Sequence, residues 1–302
     1  MDKVIENIRN QVICGSALNI LKKIDKESID LFVSDPPYKV TARGSAGNSG
    51  GMLQKKINRS GNVFNYNDIE IDVWLPEIYR ILKEGSHCYV MTNHKNIHHY
   101  LNIAEKVGFH FIKNLIWNKG NKIMGQCYMS QFEYIIFLRK GKHKKINFCG
   151  TADILDVPNK KTKVDGKNIH DTEKPVELME ILIKNSSSEG DLVLDCFCGV
   201  GSVPIASKKL NRNFIGIDLE QDYVNISRSR IECIKMYGCP SCDFESSNKE
   251  DLNNVEGDTF HYCDKCVEEH NLIKSEEEVK TCSTKHDIPP KPKDSGILSN
   301  FK

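Results

Sequence analysis

The chain has 302 residues, of which 39% are hydrophobic, 27% are charged and 12 are cysteine, and its formal net charge is +1. This length and composition predict one globular domain with an appendage, and the cysteines are too sparse for a disulfide scaffold. Because no apolar run approaches the roughly 20 residues of a membrane span and the first residues do not resemble a signal peptide, we expect a cytoplasmic protein with no membrane partner.

The charged residues are unevenly distributed along the chain. Residues 239–302 carry 14 acidic and 8 basic side chains, so the first 238 residues have a formal charge near +7. A basic body favours a polyanionic partner such as nucleic acid. An excess of lysine is also common on a solvated surface, so charge alone leaves both interpretations open.

Apolar runs alternate with stretches of 3.6-residue periodicity through residues 1–238, a pattern typical of α/β layering. Strands are predicted, in chain order, at 11–14, 29–34, 86–92, 109–117, 134–139, 192–195 and 213–218. Helices are predicted at 17–24, 71–82, 94–107, 175–185, 202–210 and 221–235. Near-continuous apolar strands between amphipathic helices predict a mainly parallel sheet with helices on both faces.

Two segments interrupt this alternation. Residues 39–67 contain five glycines, five basic side chains and no acidic one, which predicts a mobile basic loop that either closes on DNA or is only a surface loop. Residues 139–167 carry eight lysines around a short apolar island at 154–157. Clustered lysines with little core suit contacts to phosphates, so this second segment is a candidate DNA-recognition segment, although a solvated loop would have a similar composition.

Four of the cysteines form two CxxC pairs. Cys239 and Cys242 make the first pair and Cys263 and Cys266 the second, with 20 residues between them. Each pair can direct two thiolates at one tetrahedral ion, so we predict a zinc-ribbon-like module with structural Zn2+ at 239–272, followed by a flexible tail at 273–302. Four reduced surface thiols are the alternative.

The stretch LVLDCFCGVGS predicts a ligand-binding turn between a strand and a helix. The strand ends at Asp195, and Gly199 and Gly201 permit a tight turn against which a ligand can contact bare backbone. Asp218 ends the next strand, where an acidic side chain typically accepts hydrogen bonds from ribose hydroxyls. Pro204 replaces the third glycine of a dinucleotide motif, which favours a nucleoside cofactor without a pyrophosphate.

The stretch SDPPYK ends the predicted strand at 29–34 with an acid, two prolines and an aromatic residue. Pro36 and Pro37 fix φ and supply no N–H group, so this turn offers only hydrogen-bond acceptors. The letters DPPY alone would also fit an ordinary turn at the end of a strand.

Together these motifs resemble those of the amino methyltransferases that use S-adenosylmethionine to methylate exocyclic nitrogens of DNA bases. DPPY is similar to their catalytic tetrapeptide, DCFCGVGS to their cofactor loop and HDTEKPVELMEILI to the segment before that loop. The tetrapeptide comes before the cofactor loop, which is the permuted order of the β group of the family. The resemblance covers residues from about 11 to 234 and implies a three-layer, Rossmann-like methyltransferase fold in a domain at 1–238.

The resemblance also implies roles for individual residues. Asp35 and the carbonyl group of Pro36 would accept the two N–H bonds of the target amine, Pro37 would hold the turn, and Tyr38 would stack on a base flipped out of the duplex. The cofactor would contact Asp195, Phe197, Gly199, Gly201, Ser202, Asp218, Lys174 and Ser16. Of these, Lys174 would either pair with the cofactor carboxylate or have a packing and surface role, and Ser16 stands where the family usually has Asp.

The leading hypothesis is therefore an adenine-N6 DNA methyltransferase that acts on a specific sequence in double-stranded DNA. Asp at the start of DPPY favours adenine, because cytosine-N4 enzymes of this group more often begin with Ser. The alternatives are a cytosine-N4 enzyme and a catalytically inactive zinc-ribbon protein that binds nucleic acid, whereas methylation of RNA or protein amides is less favoured. A cognate restriction endonuclease is a candidate partner, and monomer and homodimer both stay open.

Overall fold

The computed structural model describes residues 3–37, 69–123, 128–164, 167–169, 172–232, 234, 237–238, 245–246, 252–254 and 261–263. The helices in these ranges are α1 (Lys3–Ile8), α2 (Ala17–Leu21), α3 (Ile71–Ile81), α4 (Ile97–Val107), α5 (Val176–Ser186), α6 (Ser202–Lys209) and α7 (Gln221–Glu232). Among these described helices, none has the length and apolar character needed to cross a bilayer.

The longer strands of this part of the chain are β1 (Gln11–Cys14), β2 (Ile29–Ser34), β3 (Leu82–Thr92), β4 (Phe109–Ile123), β5 (Ser130–Lys140), β6 (Ile154–Asp156), β9 (Leu192–Asp195) and β10 (Asn213–Asp218). They form one sheet in the order β1-β10-β9-β2-β3-β5-β4-β6. Neighbouring strands are parallel, except that β5 is antiparallel to both β3 and β4. The predicted mainly parallel sheet is confirmed.

Among the described residues, six short strands form three antiparallel pairs outside this sheet. They are β7 (Lys163–Val164) with β8 (Lys167–Asn168), β11 (Tyr237–Gly238) with β12 (Glu245–Ser246), and β13 (Leu252–Asn254) with β14 (His261–Cys263).

Strand β2 shows why helices cover both faces of the large sheet. Side chains alternate between the two faces of a strand, and β2 has buried apolar side chains on both faces. Leu31 and Val33 are fully buried in a cluster with residues of α5 and α6. Phe32 is fully buried in a second cluster that includes residues of α3 and α4. The sheet is therefore the middle of three layers, and the predicted α/β class is confirmed.

Helix α3 buries one apolar face against the sheet. Its buried residues recur at intervals of three and four, as expected of a helix with one apolar side, and they are Ile71, Trp74, Leu75, Ile78 and Ile81. The Trp74 ring lies 6.0 Å from the Phe32 ring, centroid to centroid. This contact holds the start of α3 near the carboxyl end of β2.

Strands β4 and β5 extend further than the apolar pattern predicts. The polar residue Asn118 still pairs with Phe132, because the backbone hydrogen bonds of the hairpin continue where the apolar side chains end. The apolar island at 154–157 contains a strand, β6, which is parallel to β4 and buries Leu155. The sequence pattern predicts no strand there.

Candidate functional site

Four parallel strands end side by side at one edge of the sheet. Strand β2 pairs with β9 through Phe32 and Leu194, and β10 pairs with β1 through Asp218 and Cys14. The residues predicted from two distant motifs therefore meet at this edge, because parallel strands have their carboxyl ends on the same side. A hydrogen bond joins the motifs directly: Ser34 Oγ donates to Asp195 Oδ1 at 2.6 Å.

The glycine turn, residues 196–201, connects β9 to α6. Gly199 has φ of +51° and Gly201 has φ of +88°, in the region that favours glycine. A Cβ atom at position 201 would lie 2.0 Å from Ser227 Oγ, so α7 leaves no space for a side chain there. The backbone of the turn is consequently bare.

Asp195 and Asp218 hold the turn through its N–H groups. Asp195 Oδ1 accepts a hydrogen bond from the Phe197 N–H at 3.1 Å. Asp218 Oδ2 accepts one from the Gly199 N–H at 2.8 Å, and its Oδ1 accepts one from the Glu220 N–H at 2.9 Å. The two predicted acids thus lie on opposite sides of one turn.

Burial changes the ionisation of both acids. It raises the pKa of Asp195 to about 7, and the nearby carboxylates of Asp218 and Asp35 add to this effect. Burial also raises the pKa of Asp218, although hydrogen bonds from backbone N–H groups oppose the change. Three carboxyl groups in one place favour a ligand that carries positive charge.

The other predicted cofactor residues surround the same turn. The Phe197 ring lies 5.6 Å from the Trp74 ring in an edge-on contact, so α3 forms a wall beside it. Ser202 Oγ donates to the carbonyl oxygen of Lys174 at 2.7 Å, which ties the start of α6 to the segment before α5. Ser16 precedes α2, next to Gly15, whose N–H donates to the Asp218 carbonyl at 2.9 Å.

Asp35 follows β2 directly, and its side chain is 23% exposed. Asp35 Oδ2 accepts a hydrogen bond from Lys174 Nζ, while Asp35 Oδ1 is buried and has no hydrogen-bond partner among the described residues. Pro36 is buried and Pro37 is half-buried. Neither has a backbone N–H group, so the turn offers only hydrogen-bond acceptors at these two positions. Tyr38, the fourth residue of the predicted tetrapeptide, lies outside the described residues, as does the predicted basic loop at 39–67.

Burial raises the pKa of Asp35 above its usual value, and Lys174 opposes that change. The amino group of Lys174 also lies 3.7 Å from Glu133 Oε2. Sequence reasoning had assigned Lys174 to the cofactor and had not selected Glu133. Glu133 is an acid directly before the apolar stretch 134–138 of β5, and that contrast is the signal that could have identified it.

A second ion pair lies behind Lys174. Arg230 of α7 contacts Glu173 Oε1 at 2.7 Å, and their side chains are only 10% and 3% exposed. Arg230 also donates to the Val200 carbonyl of the glycine turn at 2.7 Å, and Glu173 Oε2 accepts the Thr162 N–H at 2.8 Å. This Glu173–Arg230 pair joins the glycine turn to the candidate recognition segment.

The structure divides the lysines of residues 139–167 between two edges of the sheet. Lys142 follows β5 at the edge opposite Asp35, where its N–H donates to Glu84. Lys140 does not belong to the predicted phosphate-binding surface, because it is buried and donates to the Leu82 carbonyl at 2.7 Å. Lys160 is exposed at the same edge as Asp35, next to Asn159, whose N–H donates to the Lys119 carbonyl at 3.4 Å.

The predicted zinc site lies outside the described residues. Cys239, Cys242 and Cys266 are not among the described residues, and of Cys263 only the backbone is described, at the end of β14. Within the described residues, no group of three or more metal-binding side chains clusters together. The zinc-ribbon-like module stays a prediction.

Comparison with known proteins gives one family. Residues 29–229 match the N6/N4 DNA methylase family. The chain is 30% identical over 258 residues to the Type II methyltransferase M.HinfI of Haemophilus influenzae, an alignment covering 78% of this chain and 72% of that protein.

Two solved structures are similar in fold. The complex of M1.HpyAVI with SAM has a TM-score of 0.52 and 21% identity, covering 73% of this chain and 98% of that one. The cytosine-N4-specific PvuII DNA methyltransferase has a TM-score of 0.57 and 17% identity, covering 72% of this chain and 85% of that one. The Rossmann-like methyltransferase fold is thereby confirmed, and the chain belongs to the N6/N4 DNA methylase family.

Proposed function

We propose that this protein transfers a methyl group from S-adenosylmethionine to the exocyclic N6 amino group of adenine, in a specific sequence of double-stranded DNA. The observation that carries the proposal is the position of Asp35. Its carboxyl group lies at the carboxyl end of β2, beside the glycine turn, with one oxygen on Lys174 and the other without a hydrogen-bond partner among the described residues. Methylation of an amine requires a hydrogen-bond acceptor for its N–H groups next to the cofactor.

Asp35 and Pro36 together suit an amine as the methyl acceptor. The amino group of adenine is a weak nucleophile, because its lone pair is delocalised into the ring. Asp35 Oδ1 and the carbonyl oxygen of Pro36 accept its two N–H bonds in our proposal, which directs the lone pair out of the plane of the base. Positive charge grows on that nitrogen during transfer, and an ionised Asp35 stabilises it.

The glycine turn fits the proposed cofactor in charge and in shape. The carboxyl groups around the turn favour a positively charged ligand, and the positive φ angles of Gly199 and Gly201 permit the tight turn that we propose the ligand contacts. We propose that Asp218 holds the ribose hydroxyls and that Phe197 offers an aromatic surface, with Ser16, Ser202 and Asp195 lining the rest. When bound, S-adenosylmethionine supplies an electrophilic methyl group.

The substrate base must leave the duplex to reach Asp35. The adenine amino group is enclosed in duplex DNA, so we propose base flipping, with Tyr38 stacking on the flipped base. For contacts to phosphates we propose residues 39–67 together with Lys160, which is exposed at the edge of the sheet that carries Asp35. M.HinfI is named a Type II methyltransferase, so a restriction endonuclease of the same sequence specificity is the partner we propose for this chain.

The proposal is tested by identifying the methylated nucleoside. Mixed-sequence DNA is incubated with the protein and S-adenosylmethionine, digested to nucleosides and analysed by mass spectrometry. We expect N6-methyladenine from the wild-type protein. Asp35→Ala should lower the rate at least about 100-fold while cofactor affinity, measured by calorimetry, stays nearly unchanged. Asp72→Ala, which removes an exposed carboxylate of α3, is the matched control.

Three outcomes would contradict parts of this proposal. N4-methylcytosine in place of N6-methyladenine would overturn the assignment of the base. Cofactor binding without methylation of any DNA would favour the inactive nucleic-acid-binding protein. Loss of cofactor binding in Asp35→Ala would show that Asp35 also contributes to binding of the cofactor.

A further inference from the structure

Four side chains of alternating charge form a row at the edge of the sheet that carries Asp35. Lys119 Nζ of β4 lies 2.8 Å from Glu133 Oε1 of β5, Glu133 Oε2 lies 3.7 Å from Lys174 Nζ, and Lys174 donates to Asp35 Oδ2. The side chains are 7%, 21%, 9% and 23% exposed in that order. We call Asp35, Lys174, Glu133 and Lys119 the charged row.

Stability alone does not explain the charged row. Removing charges from water costs free energy that the pairing of those charges often fails to recover, and apolar side chains of similar size are frequently as stable or more stable. Glu133 lies two residues before Ile135 on the same face of β5, and Ile135 is fully buried, while Lys119 of β4 pairs with Glu133 there. A requirement of the site itself is the better reason for charges at these positions.

We propose that Lys174 and Glu133 are positioning residues for methyl transfer: Lys174 holds Asp35 ionised with Oδ1 turned to the amine, and Glu133, anchored by Lys119, holds Lys174. This inference rests on the proposed function, and it assigns the row to the acceptor amine and not to the cofactor. The bond to Lys174 occupies Oδ2, so Oδ1 is the oxygen left for the substrate, and it has no hydrogen-bond partner among the described residues.

The charges around Asp35 give the direction of each effect. Burial raises the pKa of Asp35, Lys174 lowers it, and the negative charge of Glu133 raises it again. Burial alone would also raise the pKa of Glu133, but Lys174 and Lys119 hold it below its usual value, so Glu133 stays ionised. Among the described residues, the titratable groups that face Asp35 from the surrounding elements are Lys174, Glu133, Lys119, Asp195 and Tyr100.

Substitution of the two positioning residues should affect the pH profile of the methylation rate differently. In Lys174→Met the opposing positive charge is lost, so the acid limb of the rate should move to higher pH by at least about one unit. In Glu133→Gln a raising charge is lost while the bond to Lys119 can persist, so the acid limb should stay in place or move to lower pH. Lys174→Arg keeps the charge, so its profile should stay near that of the wild type.

The experiment measures single-turnover methylation of DNA from pH 5.5 to 9 and, separately, the affinity for S-adenosylmethionine. Lys174→Met should lower the rate at pH 7 about 100-fold, as expected for the loss of a charge-assisted hydrogen bond, with cofactor affinity within about threefold. The control is Lys83→Met, because Lys83 pairs with Asp30 at 2.6 Å on the same strand as Asp35 but at its other end. This control should match the wild type in rate and in pH profile.

A Lys174 that pairs with the cofactor carboxylate would give the reverse result. Lys174→Met would then lose cofactor affinity, its pH profile would stay in place, and our inference would be overturned. Titration of 13C-labelled aspartate carboxyl groups by NMR separates this inference from the proposed function, because it needs no turnover. We expect the Asp35 signal, identified by its loss in Asp35→Asn, to titrate at higher pH in Lys174→Met; an unchanged titration would also overturn the inference.

Discussion

Asp195 lies at the end of β9 with only 4% of its surface exposed, and burial raises the pKa of its carboxyl group to about 7. Its Oδ1 accepts hydrogen bonds from Ser34 Oγ and from the Phe197 N–H. An asparagine can accept the same two bonds without carrying a titratable proton. The substitution Asp195→Asn therefore measures how burial of this carboxyl group at the glycine turn affects the pH dependence of stability.

We predict that Asp195→Asn changes the pH dependence of stability. The folded protein binds the Asp195 proton up to a pKa of about 7, whereas the unfolded chain releases it near the ordinary value of 3.8. The wild type therefore loses free energy of unfolding as the pH rises from about 4 to 7, by at most about 1.4 kcal/mol per pH unit. The variant lacks this loss, so its stability relative to the wild type should increase across that window and then level off.

Chemical denaturation of both proteins without cofactor, at intervals of half a pH unit, measures the difference. Other titrating groups cancel in the comparison, because they are common to the two proteins. If the free energies of unfolding of the two proteins change with pH in parallel between pH 4 and 7, Asp195 titrates normally in the folded state.

Individual residues of the site differ in how well sequence alone predicts them. Asp35, Asp195 and Asp218 each end a strand within a motif, so local sequence identifies them. The partners of Asp35 have no such signal: Lys174 is 139 positions away, and Glu133 reaches it only because the register of β5 places that side chain there. Contacts of this kind depend on strand order and register, which the motifs do not contain.

At the scale of elements, the buried Glu173–Arg230 pair connects four parts of the fold. It joins the segment before α5, helix α7, the glycine turn at Val200 and the residue Thr162, which follows β6. Removing one partner of a buried pair leaves the other charge without compensation.

We predict that Glu173→Gln lowers the free energy of unfolding by about 3 kcal/mol, because the buried guanidinium group of Arg230 loses its counter-charge. Glu180→Gln is the matched control, since Glu180 pairs with Lys209 of α6 and both side chains are more exposed, at 25% and 40%. That control should change stability by less than about 1 kcal/mol. Urea unfolding of the three proteins gives the comparison, and equal losses would mean that the buried pair contributes no more than the exposed one.

The bounds of four strands could be predicted from their apolar runs. The predicted bounds of β1, β2, β9 and β10 agree with the structure, because each is a short apolar run that ends at a polar residue or turn. Strands β4 and β5 were predicted too short, since polar residues such as Lys119 and Gln131 lie in their paired outer parts. Because the predicted strands left residues 118–133 unassigned, the sequence did not indicate that β4 and β5 form a hairpin or that β5 is antiparallel.

At the scale of the whole molecule, the cysteine-rich residues follow the domain that matches the family. The family match ends at residue 229, and the four cysteines of the two CxxC pairs come after it. We propose that they hold one structural zinc ion in a module separate from the chemistry.

We predict that Cys263→Ser, or chelation of the metal, makes residues 239–272 sensitive to protease while the methylation rate changes less than about threefold, because structural zinc stabilises the fold around it. Metal content by mass spectrometry and limited proteolysis measure the first effect, and single-turnover methylation measures the second. Cys149→Ser, at an exposed cysteine of the main domain, is the control. An equal loss of turnover would place the module next to the active site.

The pairing of β2 with β9 also has a consequence for the synthesis of the protein. Ser34 and Asp195 are in contact but 161 residues apart, so the ribosome must translate most of the domain before the central strands can meet. Until then the nascent chain exposes Leu31 and Val33, which later pack against α5 and α6. A half-synthesised chain therefore exposes apolar surface that makes it prone to aggregation, and it holds no assembled site.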